Sequence, residues 1–227
     1  MVNELIVTES DLNKDNEYKE DSIDFDGDIV FSENLGVVKV RRTIKATQSI
    51  IAKTDTGIEA GYGIEAGSRI IAGFGIIAGL GIEAGSGIIA GSGIEAGNGI
   101  KAGDGIEAGW EIEAGFGIEA GFGIEAGCGI EAGFGIEAGF GIIAGSGIEA
   151  GWSVITKFEY GVKAKFISCL QIAVGIDVEE EQEICAEIRK GKVLLGKVIQ
   201  PKEMVLEDLS KRELINKVKE LEKGTKQ

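Results

Sequence analysis

From Ile58 to Ile148 an isoleucine recurs at every sixth position, and Val154 closes the series. Most of these isoleucines are followed by Glu, then always by Ala and Gly, so the chain spells variants of Gly-Ile-Glu-Ala-Gly-X sixteen times between Gly57 and Trp152. Within each unit the order apolar, polar, apolar is that of a short strand with one buried face. A six-residue period is too short for a helical repeat, but it suits a coil of short strands and tight corners with successive coils stacked in parallel. The pattern predicts an all-β chain, a parallel β-helix (β-solenoid) of hexapeptide repeats with three hexads, about 18 residues, per coil.

At that period the residue after each isoleucine falls into three columns. One is Glu59, Ile77, Glu95, Glu113, Glu131 and Glu149; the next is Glu65, Glu83, Lys101, Glu119, Glu137 and Ile155; the third is Ile71, Ile89, Glu107, Glu125 and Ile143. Two faces are predicted acidic and the third partly apolar. Like charges stacked at about 4.8 Å repel by roughly 1 kcal/mol per neighbour even at the dielectric of water, so stability alone does not select such columns. Either they keep an edge-rich rod soluble and block lateral aggregation, or they form a binding surface.

The glycine three places after each isoleucine is invariant from Gly61 to Gly151, whereas the one before it gives way to Arg69, Glu111 and Ser153. That contrast predicts a conformational requirement, a left-handed corner, at the first position only. The X position varies from Ser92, Asn98 and Asp104 to Trp110, Phe116 and Phe122. Strand alternation carried through from the isoleucine places X inward, which predicts internal aromatic ladders in the C-terminal half; the alternative is an exposed aromatic stripe from Trp110 to Trp152.

Outside the repeat the pattern changes. Residues 1–35 are rich in Asp and Glu with broken apolar runs and read as an acidic arm, mobile or held as a weak strand; residues 36–56 alternate as capping strands ahead of the solenoid at 57–157. Residues 158–227 read as a C-terminal β cap and interaction region of irregular coils. It ends in a helix over about 209–223, where Ser210-Lys-Arg-Glu213 is a capping-box pattern and Leu214, Ile215, Val218 and Leu221 share a face. This region is also the candidate route to a homo-oligomer.

Composition narrows the function classes. Of the net charge of −15, the repeat 57–152 holds 13 acidic and 2 basic residues, while 1–56 holds 12 and 7 and 153–227 holds 13 and 14. An acidic rod is a poor direct ligand for nucleic acid and a natural one for a basic protein. Cys128, Cys169 and Cys185 form no close pair, and neither a basic, apolar leader nor an apolar run of membrane-spanning length is visible. The expectation is a reduced, cytoplasmic protein without a membrane association. The absence of His removes the usual nucleophilic triads and the commonest general base. Asp24-Phe-Asp26-Gly-Asp28 lacks calcium-loop spacing, and the cysteines lack zinc spacing, so no metal, cofactor or catalytic site is predicted and the chain reads as a non-enzyme.

The hexad resembles the left-handed β-helix of hexapeptide acyltransferases over residues 57–154; that resemblance implies the architecture, but the histidine base those enzymes use has no counterpart here. It is similar, too, to the Gly- and Ile-rich repeats of bactofilin-like scaffold proteins. A fuller likeness is to uncharacterised proteins of Firmicutes and their phages with Gly-(Ile/Tyr)-(Glu/Lys)-Ala-Gly-X arrays, because it extends to Glu183-Ile-Cys-Ala-Glu-Ile and Lys190-Gly-Lys-Val.

Together these features predict an acidic β-solenoid that binds a basic protein surface, in the manner of a nucleic-acid-mimicking inhibitor of a host defence enzyme. Glu107, Glu113, Glu119, Glu125, Glu131 and Glu137, the longest uninterrupted acid run, are the candidate contacts, and Ile71, Ile89, Ile143, Trp110 and Trp152 the candidate apolar docking residues. A carboxylate repeat of about 4.8 Å does not register with phosphates roughly 7 Å apart, so such mimicry would be of potential. A self-associating scaffold of bactofilin-like type is the alternative. A small-molecule binder using Trp110, Phe116 and Phe122 is a third reading.

Overall fold

In a computed structural model the described residues are 3–158, 160–178 and 182–199, and they form one parallel β-solenoid of about 10 coils. The helix expected over 209–223 lies outside them. Ile58 pairs with Ile76, Ile76 with Ile94, Ile94 with Ile112 and so on to Ile148, each eighteen positions on. About ten levels at about 4.8 Å make a rod of roughly 45 Å.

Three short strands per coil give the rod three faces. In each Ile-Glu-Ala strand the first and third side chains point inward, and both are buried throughout the repeat. Isoleucine fills the middle of each side, its β-branched side chain suited to extended backbone. Alanine occupies the inward place next to the corner, and the two sets of columns make one continuous core with the flanking coils.

The corners are hydrogen-bonded from coil to coil. The Gly79 N–H donates to the Ala60 carbonyl at 2.9 Å, and the Ser92 N–H to the Phe74 carbonyl at 3.0 Å. These stacked corners explain the invariant glycine, and not in the way expected. None of the repeat glycines is left-handed; among the described residues the positive-φ glycines are Gly27, Gly36, Gly161, Gly175, Gly191 and Gly196. Instead, a Cβ on Gly79 would stand 2.1 Å from the Gly61 carbonyl oxygen, so close stacking excludes any side chain. At the variable glycine before each isoleucine the corresponding gap is wider, 3.3 Å between Gly99 and the Gly117 oxygen.

The N-terminal segment is paired into the solenoid as strands. Glu4–Val7 pairs with Asp28–Phe31, and Ile23–Phe25 with Ile44–Ala46; Val7, Ile23, Ile29 and Phe31 are buried in the common core. Several of its acids are used internally. Arg41 pairs with Glu17 at 2.9 Å and with Asp21, and Asp26 and Asp28 accept from the Thr47 hydroxyl at 2.9 Å and the Ser49 N–H at 2.8 Å, so these acids stitch coils together.

At the other end the coil narrows. Val162–Val174 runs along three faces in one strand, placing Val162 on Ile142, Ile167 on Ile148 and Ile172 on Val154. Five residues now cover a side that six cover below. The Phe166 ring fills the space over Gly147, and the Arg189 guanidinium lies 3.7 Å from the centre of that ring.

Candidate functional site

All three predicted columns are present in the register expected. Glu95, Glu113, Glu131 and Glu149 stack on what we call the acidic face, with Glu59 and Ile77 at its N-terminal end. The mixed face carries Lys45, Glu65, Glu83, Lys101, Glu119, Glu137 and Ile155. The isoleucine face carries Ile51, Ile71, Ile89, Glu107, Glu125 and Ile143.

The candidate acid run is therefore dealt out two residues to a face. Glu113 and Glu131 share the acidic face, Glu119 and Glu137 the mixed face, and Glu107 and Glu125 the isoleucine face. Their electrostatic situations differ. On the mixed face Lys45 pairs with Glu65 at 2.9 Å, Lys101 with Glu119 at 3.4 Å and Lys157 with Glu137 at 2.6 Å. On the acidic face the only ion pair among the described residues is Lys39 with Glu59 at 3.7 Å.

Glu95, Glu113, Glu131 and Glu149 thus stand without a cation among the described residues, and Glu111, at a variable-glycine position, adds a fifth carboxylate beside them. The Glu131 carboxyl is pushed above its ordinary range by burial first and then by the charges of Glu113, Glu149 and Glu111. Glu125 is raised as well, by burial and then by Glu107.

The X residues point outward, which corrects the expected internal ladders. The strand ends at Ala, so the alternation that starts from Ile does not run through the Gly-X-Gly corner. X forms a ladder along each of the three edges. The edge between the isoleucine and acidic faces carries Phe74, Ser92, Trp110, Cys128 and Ser146. That between the acidic and mixed faces carries Tyr62, Leu80, Asn98, Phe116, Phe134 and Trp152, and the third carries Ser68, Ser86, Asp104, Phe122, Phe140 and Phe158.

Two of these edges hold stacked rings. Phe116 lies 5.4 Å from Phe134 at 12°, and Phe134 lies 5.9 Å from Trp152 at 6°. On the third edge Phe122 and Phe140 stack at 5.1 Å, with Phe158 and Tyr160 tilted above them. The ring faces shield one another while their rims meet solvent, so Phe116 keeps 62% of its surface exposed.

The apolar docking candidates do not form one patch. Ile71 and Ile89 are neighbours on the isoleucine face, but Glu107 and Glu125 separate them from Ile143. Trp110 and Trp152 sit on different edges. Cys169 is buried, and burial pushes its thiol up; Cys128 and Cys185 are half-buried, and all three are free.

Two hollows border the acidic and mixed faces, and neither was read from the sequence. A trench of about 930 Å³ follows the mixed face, floored by glycine backbone, with Lys101, Glu119 and Glu137 on one wall and Asn98, Phe116 and Phe134 on the other. A smaller hollow of about 240 Å³ opens on the acidic face between Phe74 and Trp110, beside Glu95, Glu111 and Glu113. At intervals of eighteen, the period of the Glu columns, Phe74, Ser92 and Trp110 fall together in the sequence.

Comparison of the chain with protein-family models, curated proteins and solved structures gave no match. Among the described residues no group of three or more His, Cys, Asp or Glu could hold a metal ion, and no helix is long and apolar enough to cross a membrane.

Proposed function

We propose that this protein is a non-enzymatic binding rod whose acidic face receives a basic protein surface. The observation that supports this most directly is the column Glu95, Glu113, Glu131 and Glu149, reinforced by Glu111 and lacking an ion pair among the described residues, on a chain that pairs Lys45, Lys101 and Lys157 on the neighbouring face. A carboxylate column that costs folding free energy gains it back when a cationic surface neutralises it. A preformed, continuously cored rod loses little ordering entropy on binding. Inhibition of a nucleic-acid-binding enzyme is the finer form of this reading, with the acid column standing in for the potential of a phosphate backbone.

The test compares two sets of neutralisations. Glu95, Glu113, Glu131 and Glu149→Gln should weaken binding of an octalysine peptide more than tenfold at physiological salt, with circular dichroism unchanged. Glu65, Glu83, Glu119 and Glu137→Gln should weaken it far less, because lysines already neutralise part of that face. Equal effects, or none, would remove the acidic face from the proposal.

Self-association into a scaffold of bactofilin-like type has one observation in its favour. The exposed rims of Phe116, Phe134 and Trp152 on one edge, and Ile71 and Ile89 stacked on the face opposite that edge, are surfaces that further rods could cover. Light scattering at rising protein concentration separates the two, since open-ended growth belongs to the scaffold alone.

A further inference from the structure

The hollow on the acidic face has a shape and a chemistry more specific than a charged surface. Phe74, Ser92 and Trp110 occupy consecutive levels of one edge, linked by the Ser92 N–H to the Phe74 carbonyl and the Trp110 N–H to the Ser92 carbonyl, both at 3.0 Å. On the other aromatic edges every level in the C-terminal half holds a ring, and the rings fill one another's faces. Here the middle level holds only a serine, so the facing sides of Phe74 and Trp110 are left open.

Two levels separate the rings by about 9.6 Å, which puts a group seated midway about 4.8 Å from each, within the roughly 6 Å over which a cation is drawn to a ring face. Trp110 is the most exposed ring of the regular repeat, at 63%. Glu95, Glu111 and Glu113 line the same hollow, and none has an ion pair among the described residues. The slot is thus aromatic at both ends and anionic along its side.

We infer that this hollow is a receptor for a single guanidinium group, an arginine side chain of the basic partner, held flat between Phe74 and Trp110 and hydrogen-bonded to the flanking carboxylates. Guanidinium is planar, weakly hydrated and forked, so it can stack on two rings while donating sideways to carboxylate oxygens. An ammonium is compact and strongly hydrated; it gains from the charge but little from the slot. The inference rests on the acidic-face reading and adds to it a preference for arginine over lysine.

Octaarginine and octalysine carry equal charge and serve as the two probes, titrated by calorimetry at physiological salt. A Trp152→Phe background leaves Trp110 as the sole tryptophan, so its emission reports the slot. Octaarginine should bind at least about fivefold more tightly than octalysine and alone shift the Trp110 emission. Ser92→Phe, which builds at this level the ring that other edges already carry, should abolish that difference and leave octalysine affinity unchanged.

Equal affinities for the two peptides, or a preference that survives Ser92→Phe, would overturn the slot while leaving the charged face intact. Failure of both peptides to bind the unaltered rod would overturn the acidic-face reading and the slot with it.

Discussion

The Gly115 backbone lies so close to Gly97 that a Cβ added to Gly115 would stand 2.1 Å from the Gly97 carbonyl oxygen. Two positions later, the same construction on Gly117 meets the Gly135 oxygen at 3.3 Å. Gly115→Ala should therefore destabilise the rod by about 3 kcal/mol, since backbone on both sides would have to move. Gly117→Ala should cost less than about 1 kcal/mol, part of it offset by the reduced freedom of the unfolded chain. Urea unfolding of the two variants checks the contrast; similar midpoints would contradict it.

Acidification should stabilise the rod before it harms it. Glu131 and Glu125 are held above the usual value of 4.5, so the folded chain binds protons there more tightly than the unfolded chain. Their charge costs stability above the raised value, and the cost disappears as the pH falls through it towards 4.5. Asp11 acts in the opposite sense. Its carboxyl is lowered below 3.8 by hydrogen bonds from the Thr8 backbone and side chain, so its contribution is lost only in stronger acid. The melting temperature is expected to be higher at pH 5 than at pH 7.5, and Glu125→Gln with Glu131→Gln should flatten that slope.

Phe134 is the middle ring of its ladder, stacked on Phe116 below and Trp152 above. Phe134→Ala removes both contacts and should cost about 1–2 kcal/mol, while Phe116→Ala removes only one ring contact and should cost about half as much. Only the first change strips a ring from beneath Trp152, so tryptophan emission should shift to the red in Phe134→Ala and stay in place in Phe116→Ala.

Glu107 and Glu125 interrupt the isoleucine face between Ile89 and Ile143. Replacing both (Glu107→Ile, Glu125→Ile) would join an exposed apolar stripe along the rod, and sedimentation should then report association at concentrations where the unaltered protein does not associate further. An unchanged sedimentation coefficient would mean that these carboxylates do not protect the face.

The vertical register was legible because the inward residues leave no choice: Ile and Ala at fixed places in every hexad allow only one repeat of the backbone, and Glu113, Glu131 and Glu149 follow from it. The direction of X was not. Alternation is a property of extended backbone, and extension stops at Ala, so counting onward from Ile112 to Phe116 gave the wrong side. A better guide was the variety at X itself, since a position that accepts Asn98, Asp104 and Trp110 alike faces solvent. Charge pairing was partly hidden for a different reason: Lys157 lies outside the hexad array, and its contact with Glu137 depends on where the chain leaves the repeat. The N-terminal acids misled because Asp28 spends its charge on the Ser49 amide of the next coil, a partner 21 positions away.

Since all three sides are lined with the same isoleucines and alanines, the interior has no means of telling one side from another. Loss or duplication of a single hexad would turn everything beyond it through a third of a revolution without disturbing a buried contact in the regular array. Carboxylates, lysines and rings downstream would be dealt onto new neighbours in one event, so a lineage could trial fresh exteriors by slippage alone.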